Sequence, residues 1–229
     1  MGFKFRDMKI AWWKWLTIAL MLYVLVMGFL GPVPRLNILN ETIRNLYFHV
    51  PMWFGMILLF AVSVGYSIHY LATNRIESDI RALGFVETGV LFGFLGLGTG
   101  MLWARFTWGE FWSNDPKQNA SAIALMIYLA LLLLRGSISG IKERARLSAV
   151  YSIFAFAVLI PLIFILPRFT DSLHPGNGGN PGFNPYDQSG KLRPVFYPAV
   201  FGWTLLGVWM SDLLIRFRTL KFNQSENER

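Results

Sequence analysis

Residues 103–119, WARFTWGEFWSNDPKQN, interrupt two apolar runs with aromatic rings, charged side chains and a helix-start signal. Trp103, Phe106, Trp108, Phe111 and Trp112 fall within ten residues, and Gly109 gives the backbone room to turn. Asp115-Pro116-Lys117-Gln118 reads as an N-cap, a proline at the first helical position and a glutamine at the third, a capping box that opens a new helix. The stretch therefore reads as a non-helical loop between two spans. Tryptophan also collects at the headgroup level of membrane proteins, but as isolated anchors. Contiguous ring faces suit a large, flat, conjugated ligand.

Outward from this loop the chain is apolar on both sides. Of its 229 residues 54% are hydrophobic and 16% aromatic, and its mean hydropathy is +0.44, too high for an ordinary water-soluble domain. A bilayer core about 30 Å thick needs roughly 20 apolar residues per helix. Six stretches qualify, at about 12–31, 47–72, 83–106, 119–135, 148–167 and 195–215, the fourth being short. The expected fold is an all-α membrane protein, a single polytopic domain over 1–229 with six transmembrane helices and a disordered tail ending in NQSENER, residues 223–229.

The net charge of +8 raises the question of nucleic acid, and its distribution answers it. Fourteen of the 21 Lys and Arg lie at the N-terminus, in the second and fourth loops and in the tail, among them Arg75, Arg81, Arg135, Lys142 and Arg218. The other seven, Arg35, Arg44, Arg105, Lys117, Arg168, Lys191 and Arg193, fall on the opposite side. By the positive-inside rule both termini are cytoplasmic, and 216–229 forms a cytoplasmic tail. The charge is a topology signal, and no nucleic-acid partner is expected. GFLGPVPR, residues 28–35, lacks a small-x-small cleavage site, so an uncleaved first span is expected. There is no cysteine, which excludes disulfides, thiolate metal sites and covalent haem attachment through C-x-x-C-H.

The same topology puts three loops on the outer face. The first leads through ETIRNLYFHVP, residues 41–51, into the second span, so His49 sits at that span's outer end, where a helix starts or bends. The second is the tryptophan-rich stretch. The third, about 168–194, contains Pro175, Pro181, Pro185 and Pro194 among glycines and asparagines, and holds His174 in SLHPG. Loops of that length and composition are more often functional or mobile than filler. His49 and His174 thus flank the aromatic stretch, and two imidazoles complete the six-coordination of a haem iron. Arg105, Arg44, Lys117 and Arg168 lie on that side too, where an arginine could pair with a propionate. His69 is 20 residues beyond His49, about 30 Å along a helix, at the inner face. Glu87 lies in the third span near its inner end, where it either snorkels to water or has a role. No H-E-x-x-H, G-x-S-x-G or phosphate-binding glycine loop occurs, and nothing suggests a hydrolase or an ATPase.

WGEFWSNDPKQN, residues 108–119, resembles the tryptophan-rich WWD signature of haem-handling proteins in cytochrome c biogenesis, the family of CcmC, CcmF and CcsA. The six spans, the outer histidine in YFHVP and a second outer histidine before the last span are similar to the haem exporter protein C (CcmC) branch. Asn114 stands where the signature usually has another tryptophan, Phe111 replaces a ring often found as Trp or Tyr, and the DPK that follows resembles the synthetase-type branch.

The resemblance implies non-covalent haem b at the outer face of the inner (cytoplasmic) membrane. His49 and His174 would be its axial ligands, and Trp108, Gly109, Trp112 and Asp115 the core of the signature, with Trp103, Arg105 and Phe111 beside them. It further implies delivery to a periplasmic haem chaperone, with ATP-binding cassette transporter subunits and a small membrane partner, and no turnover chemistry of its own. Two other readings of the residues stay open: an electron-transfer b-type cytochrome, and a permease for another flat amphipathic solute with the tryptophan loop as its lid.

Overall fold

The computed structural model describes residues 11–36, 38–174 and 190–228. Its helices are α1 (Trp12–Leu30), α2 (Leu46–Thr73), α3 (Ile76–Trp108), α4 (Pro116–Ser137), α5 (Ile141–Ile160) and α6 (Arg193–Asn227). A 3-10 turn, Asn40–Asn45, leads into α2, and a π turn, Pro161–Ile165, with a 3-10 turn, Leu166–Arg168, prolongs α5. Among the described residues, six helices are long and apolar enough to cross a membrane. No strand occurs among the described residues, as expected where every backbone N–H and C=O must find its partner inside its own segment.

α2 packs against α3, α5 and α6, and α1 lies along α6. The main core joins Met52, Met56, Leu59 and Phe60 of α2 to Phe92 of α3, Leu125 and Tyr128 of α4 and Leu159 of α5. Phe60 stacks on Tyr128 with ring centroids 3.6 Å apart and planes within 3°. A second cluster, Val24, Ile43, Tyr47, Val195, Phe196 and Ala199, ties α1, the 3-10 turn and α2 to the start of α6. The Tyr23 hydroxyl donates to the Pro194 carbonyl at 3.1 Å in the same region.

The two ends of the bundle differ in chemistry. At one end lie the connections that contain or adjoin His49 and His174. At the other, Arg135 of α4 makes a two-pronged ion pair with Asp79 of α3, at 2.7 and 2.5 Å. There too the Tyr70 hydroxyl donates to the Lys142 carbonyl at 3.2 Å, and Arg218 of α6 pairs with Glu87 of α3. Glu87 is thus neutralised by a partner on another helix.

Four expectations about elements need correction. The tryptophan-rich stretch is not wholly a loop: α3 runs through Trp103, Arg105 and Trp108, so only 109–115 is non-helical. α4 begins at Pro116 and spans 22 residues, long enough to cross a bilayer. The tail is helical through Asn227, continuous with α6, so most of the NQSENER segment is not disordered. Arg193 and Pro194 belong to the first turn of α6 and not to the third outer loop, since proline is tolerated where helix N–H groups have no partner. Pro175, Pro181 and Pro185 lie outside the described residues.

Candidate haem-binding site

The last three turns of α3 form the rail along which the candidate residues are arranged. Gly96, Thr99, Gly100 and Trp103 follow one another at helical spacing, and the start of α2 lies against them. His49, in the first turn of α2, places Nδ1 2.9 Å from the Gly96 carbonyl and 3.3 Å from the Thr99 hydroxyl. A carbonyl only accepts, so Nδ1 carries the proton and Nε2 keeps its lone pair. Gly100 is required for this seat: a Cβ there would lie 2.6 Å from His49 Cε1. The ring is further bounded by Trp103 and Trp53 in edge-to-face contacts, with centroids at 5.9 and 6.3 Å. The Trp103 indole N–H donates to the Thr42 hydroxyl at 3.2 Å, and Asn45 donates to the Thr99 carbonyl at 2.9 Å, which fixes the 3-10 turn to the same stretch of α3.

His174 reaches the site from the α5–α6 connection through Asp115. The Asp115 side chain is an N-cap, accepting from the Lys117 amide at 2.9 Å. It also accepts from the Ser172 hydroxyl (2.9 Å to Oδ2), the Leu173 amide (2.7 Å) and His174 Nδ1 (2.9 Å). One buried carboxylate thus anchors both the start of α4 and the segment bearing His174. Burial pushes the Asp115 carboxyl up, but the bonds from His174, Leu173 and Ser172 outweigh it and hold the group well below the usual carboxylate range. An ionised carboxylate only accepts, so His174 too carries a proton on Nδ1, and Nε2 is the nitrogen not engaged by Asp115. The Trp108 ring meets His174 edge to face at 4.6 Å.

Asp115 caps α4 as the sequence indicates, but the second arm of the expected capping box is absent. Gln118 turns to Ser113, accepting from its amide at 2.9 Å and its hydroxyl at 3.1 Å, and donates to the Phe111 carbonyl at 3.3 Å. This closes the short 109–115 connection from inside. Gly109 (φ 91°) and Asn114 (φ 57°) take left-handed backbone at its two ends. Arg105 donates to the Gly109 carbonyl and lies 6.0 Å from the Phe111 ring centroid. Phe111 is half exposed and Trp112 half buried. Arg44 donates to the Gly28 and Gly31 carbonyls and pairs with Glu41, so it closes the α1–α2 connection. His69 bonds the Ser78 hydroxyl at 2.7 Å, at the other end of the bundle.

Sequence reasoning missed Gly96, Thr99 and Gly100 as the seat of His49, and Ser172 as a partner of Asp115. The run GLGTG at 96–100 is a signal for the first, because glycines four apart mark a helix face that something approaches closely. No local signal exists for Ser172, which meets Asp115 across 57 positions of chain.

The comparison with known proteins bears on the whole chain. A family model described as Heme exporter protein C, CcmC, matches residues 2–226. The chain belongs to this family. It is 28% identical to the heme exporter protein C of Bradyrhizobium diazoefficiens over 184 residues, covering 80% of this chain and 68% of the relative. The corresponding protein of Haemophilus influenzae is 24% identical over 182 residues, 80% of this chain and 73% of the relative. A shorter match, 32% identical over 79 residues, covers 34% of this chain and 25% of the cytochrome c biogenesis protein CcsA of Pelargonium hortorum. Family membership and six apolar helices make this a multi-pass membrane protein of cytochrome c biogenesis.

Proposed function

We propose that this member of the heme exporter protein C family holds haem b non-covalently at the outer face of the inner membrane, with His49 and His174 as axial ligands. From there it would pass haem to a periplasmic haem chaperone, in company with ATP-binding cassette transporter subunits and a small membrane partner. The observation that supports this best is the matched anchoring of the two imidazoles through Nδ1. Each donates Nδ1–H to a fixed acceptor, the Gly96 carbonyl or the Asp115 carboxylate, and each keeps Nε2 for a metal. Bound haem would supply an iron with two open axial positions and an apolar ring. Trp103 and Trp108 offer faces or edges for such a ring, and Arg105 is a cation at the same end for a propionate.

The two ligands differ in their anchorage. His49 is built into the first turn of α2 and wedged against α3. His174 lies outside regular structure and is held by Asp115 and its own Ser172. A handover protein needs one firm ligand and one that lets go, and His174 is the one to release. No chemical turnover is required, only binding and transfer. The test is the haem content of protein purified from membranes in mild detergent. Stoichiometric b-type haem in the wild type, lowered in His49→Ala and His174→Ala, is expected. Purification without haem, with neither variant altering it, would favour a permease for another solute. Haem exchanging electrons rapidly with quinol would favour a b-type cytochrome.

A further inference from the structure

At the end of the bundle remote from His49 and His174, α2 and α3 line an open groove of about 910 Å³. Val62, Gly65, Tyr66 and His69 of α2 line it together with Arg75, Glu77, Ser78 and Arg81. Its two halves differ. Val62 and Gly65 lie within the span, Val62 about 10 Å deeper than His69 by helix rise. The cations gather at the helix ends. A Cβ at Gly65 would meet nothing within 4 Å, so the apolar half is open on the side of the bundle.

The charged half is arranged and unneutralised. The Arg81 guanidinium lies 5.6 Å from the Tyr66 ring centroid and 3.4 Å from its hydroxyl, and Tyr66 is stacked on Phe85. His69 is held by Ser78. Neither Arg75 nor Arg81 has an ion-pair partner among the described residues, and Glu77, the one carboxylate lining the groove, pairs with neither. At the same end Arg135, Arg216 and Arg218 pair with Asp79, Asp212 and Glu87, and Arg144 and Arg146 of α5, which also have no ion pair among the described residues, do not line the groove.

We propose that this groove binds an anionic glycerophospholipid, one acyl chain lying along Val62, Gly65 and Tyr66 and the headgroup phosphate between Arg75 and Arg81. A groove that is apolar at Val62 and Gly65 within the span and has Arg75 and Arg81 without ion pairs at its other end complements a molecule that is apolar for most of its length and anionic at one end. The bound lipid would brace the α2–α3 connection, on the two helices that seat His49 at the other end.

The test is native mass spectrometry of the detergent-purified chain with dioleoyl phosphatidylglycerol or dioleoyl phosphatidylcholine. A one-to-one phosphatidylglycerol adduct that phosphatidylcholine does not form is expected. Gly65→Leu should abolish it by filling the apolar half while leaving both arginines in place. Arg75→Gln and Arg81→Gln should each weaken it about fivefold, the effect of one basic side chain at an anionic lipid surface. Equal binding of the two lipids, or an adduct that survives in Gly65→Leu, would overturn the proposal. Displacement by millimolar inorganic phosphate would make this an anion site without a lipid, and displacement by hemin would make it a cargo site. Gly65→Leu is remote from both ligand histidines, so haem content of the same variant reports separately on the outer site.

Discussion

At the scale of single residues, Asp115 has two duties that substitutions can separate. Asparagine caps a helix about as well as aspartate, so Asp115→Asn should keep α4 in place while losing the charged acceptor for His174. Loss of such an orienting partner typically costs about 10–100-fold in metal affinity, and hemin titration of the variant should show a weakening of that order with little change in melting temperature. The depressed Asp115 carboxyl also sets a pH dependence. A carboxyl held lower in the folded state than its unfolded value, about 3.9, stabilises the fold above that value and loses the contribution as pH falls below it. The stability difference between wild type and Asp115→Ala should therefore be flat from about pH 8 to 5 and shrink below about pH 4, which thermal melts across pH will show. Gly100→Ala probes the seat of His49, the other proposed ligand. Its methyl group would sit 2.6 Å from His49 Cε1, overpacking that typically costs about 1–3 kcal/mol. The expected result is a protein that folds with His49 displaced and haem retention at least tenfold weaker; wild-type haem affinity would show that the contact yields freely.

At the scale of elements, the backbone of the 109–115 connection restricts what position 114 can hold. Asn114 adopts φ 57°, a conformation that asparagine tolerates and a bulky side chain does not. Asn114→Trp should destabilise the connection by about 1–2 kcal/mol and Asn114→Gly should not, as read from melting temperatures. The six spans were legible in the sequence because apolar length alone dictates them, and the cap at Asp115 because its signal is local. The end of α3 was not. A dense run of tryptophans with a glycine looks like a loop, but Trp103 and Trp108 continue the helix and only Gly109 breaks it. The helical tail escaped for a related reason. Its polar composition suggests disorder, whereas α6 continues unbroken through it. In the candidate site, the two histidines stand out in the sequence as candidates, but their partners do not, since His49–Gly96 and His174–Asp115 join positions 47 and 59 apart.

At the scale of the molecule, the bundle separates the end that carries the two proposed haem ligands from an end tied together by ion pairs between helices. Arg135–Asp79 joins α4 to α3, with side chains 12% and 7% exposed. Removing one partner of a pair this buried typically costs about 3–5 kcal/mol, so Arg135→Ala should sharply lower yield and melting temperature. The protein that does fold should bind haem with an unaltered spectrum, because the pair lies at the end of α3 remote from Gly96 and Trp103. A changed spectrum would mean that the two ends are coupled through α3. The central claim, that His49 and His174 ligate one haem iron, is tested most directly by electron paramagnetic resonance of the hemin-loaded protein. The expected result is a low-spin, six-coordinate signal in the wild type, and a high-spin signal in His174→Ala that returns to low spin when imidazole is added. A wild-type signal that neither His49→Ala nor His174→Ala changes would contradict it.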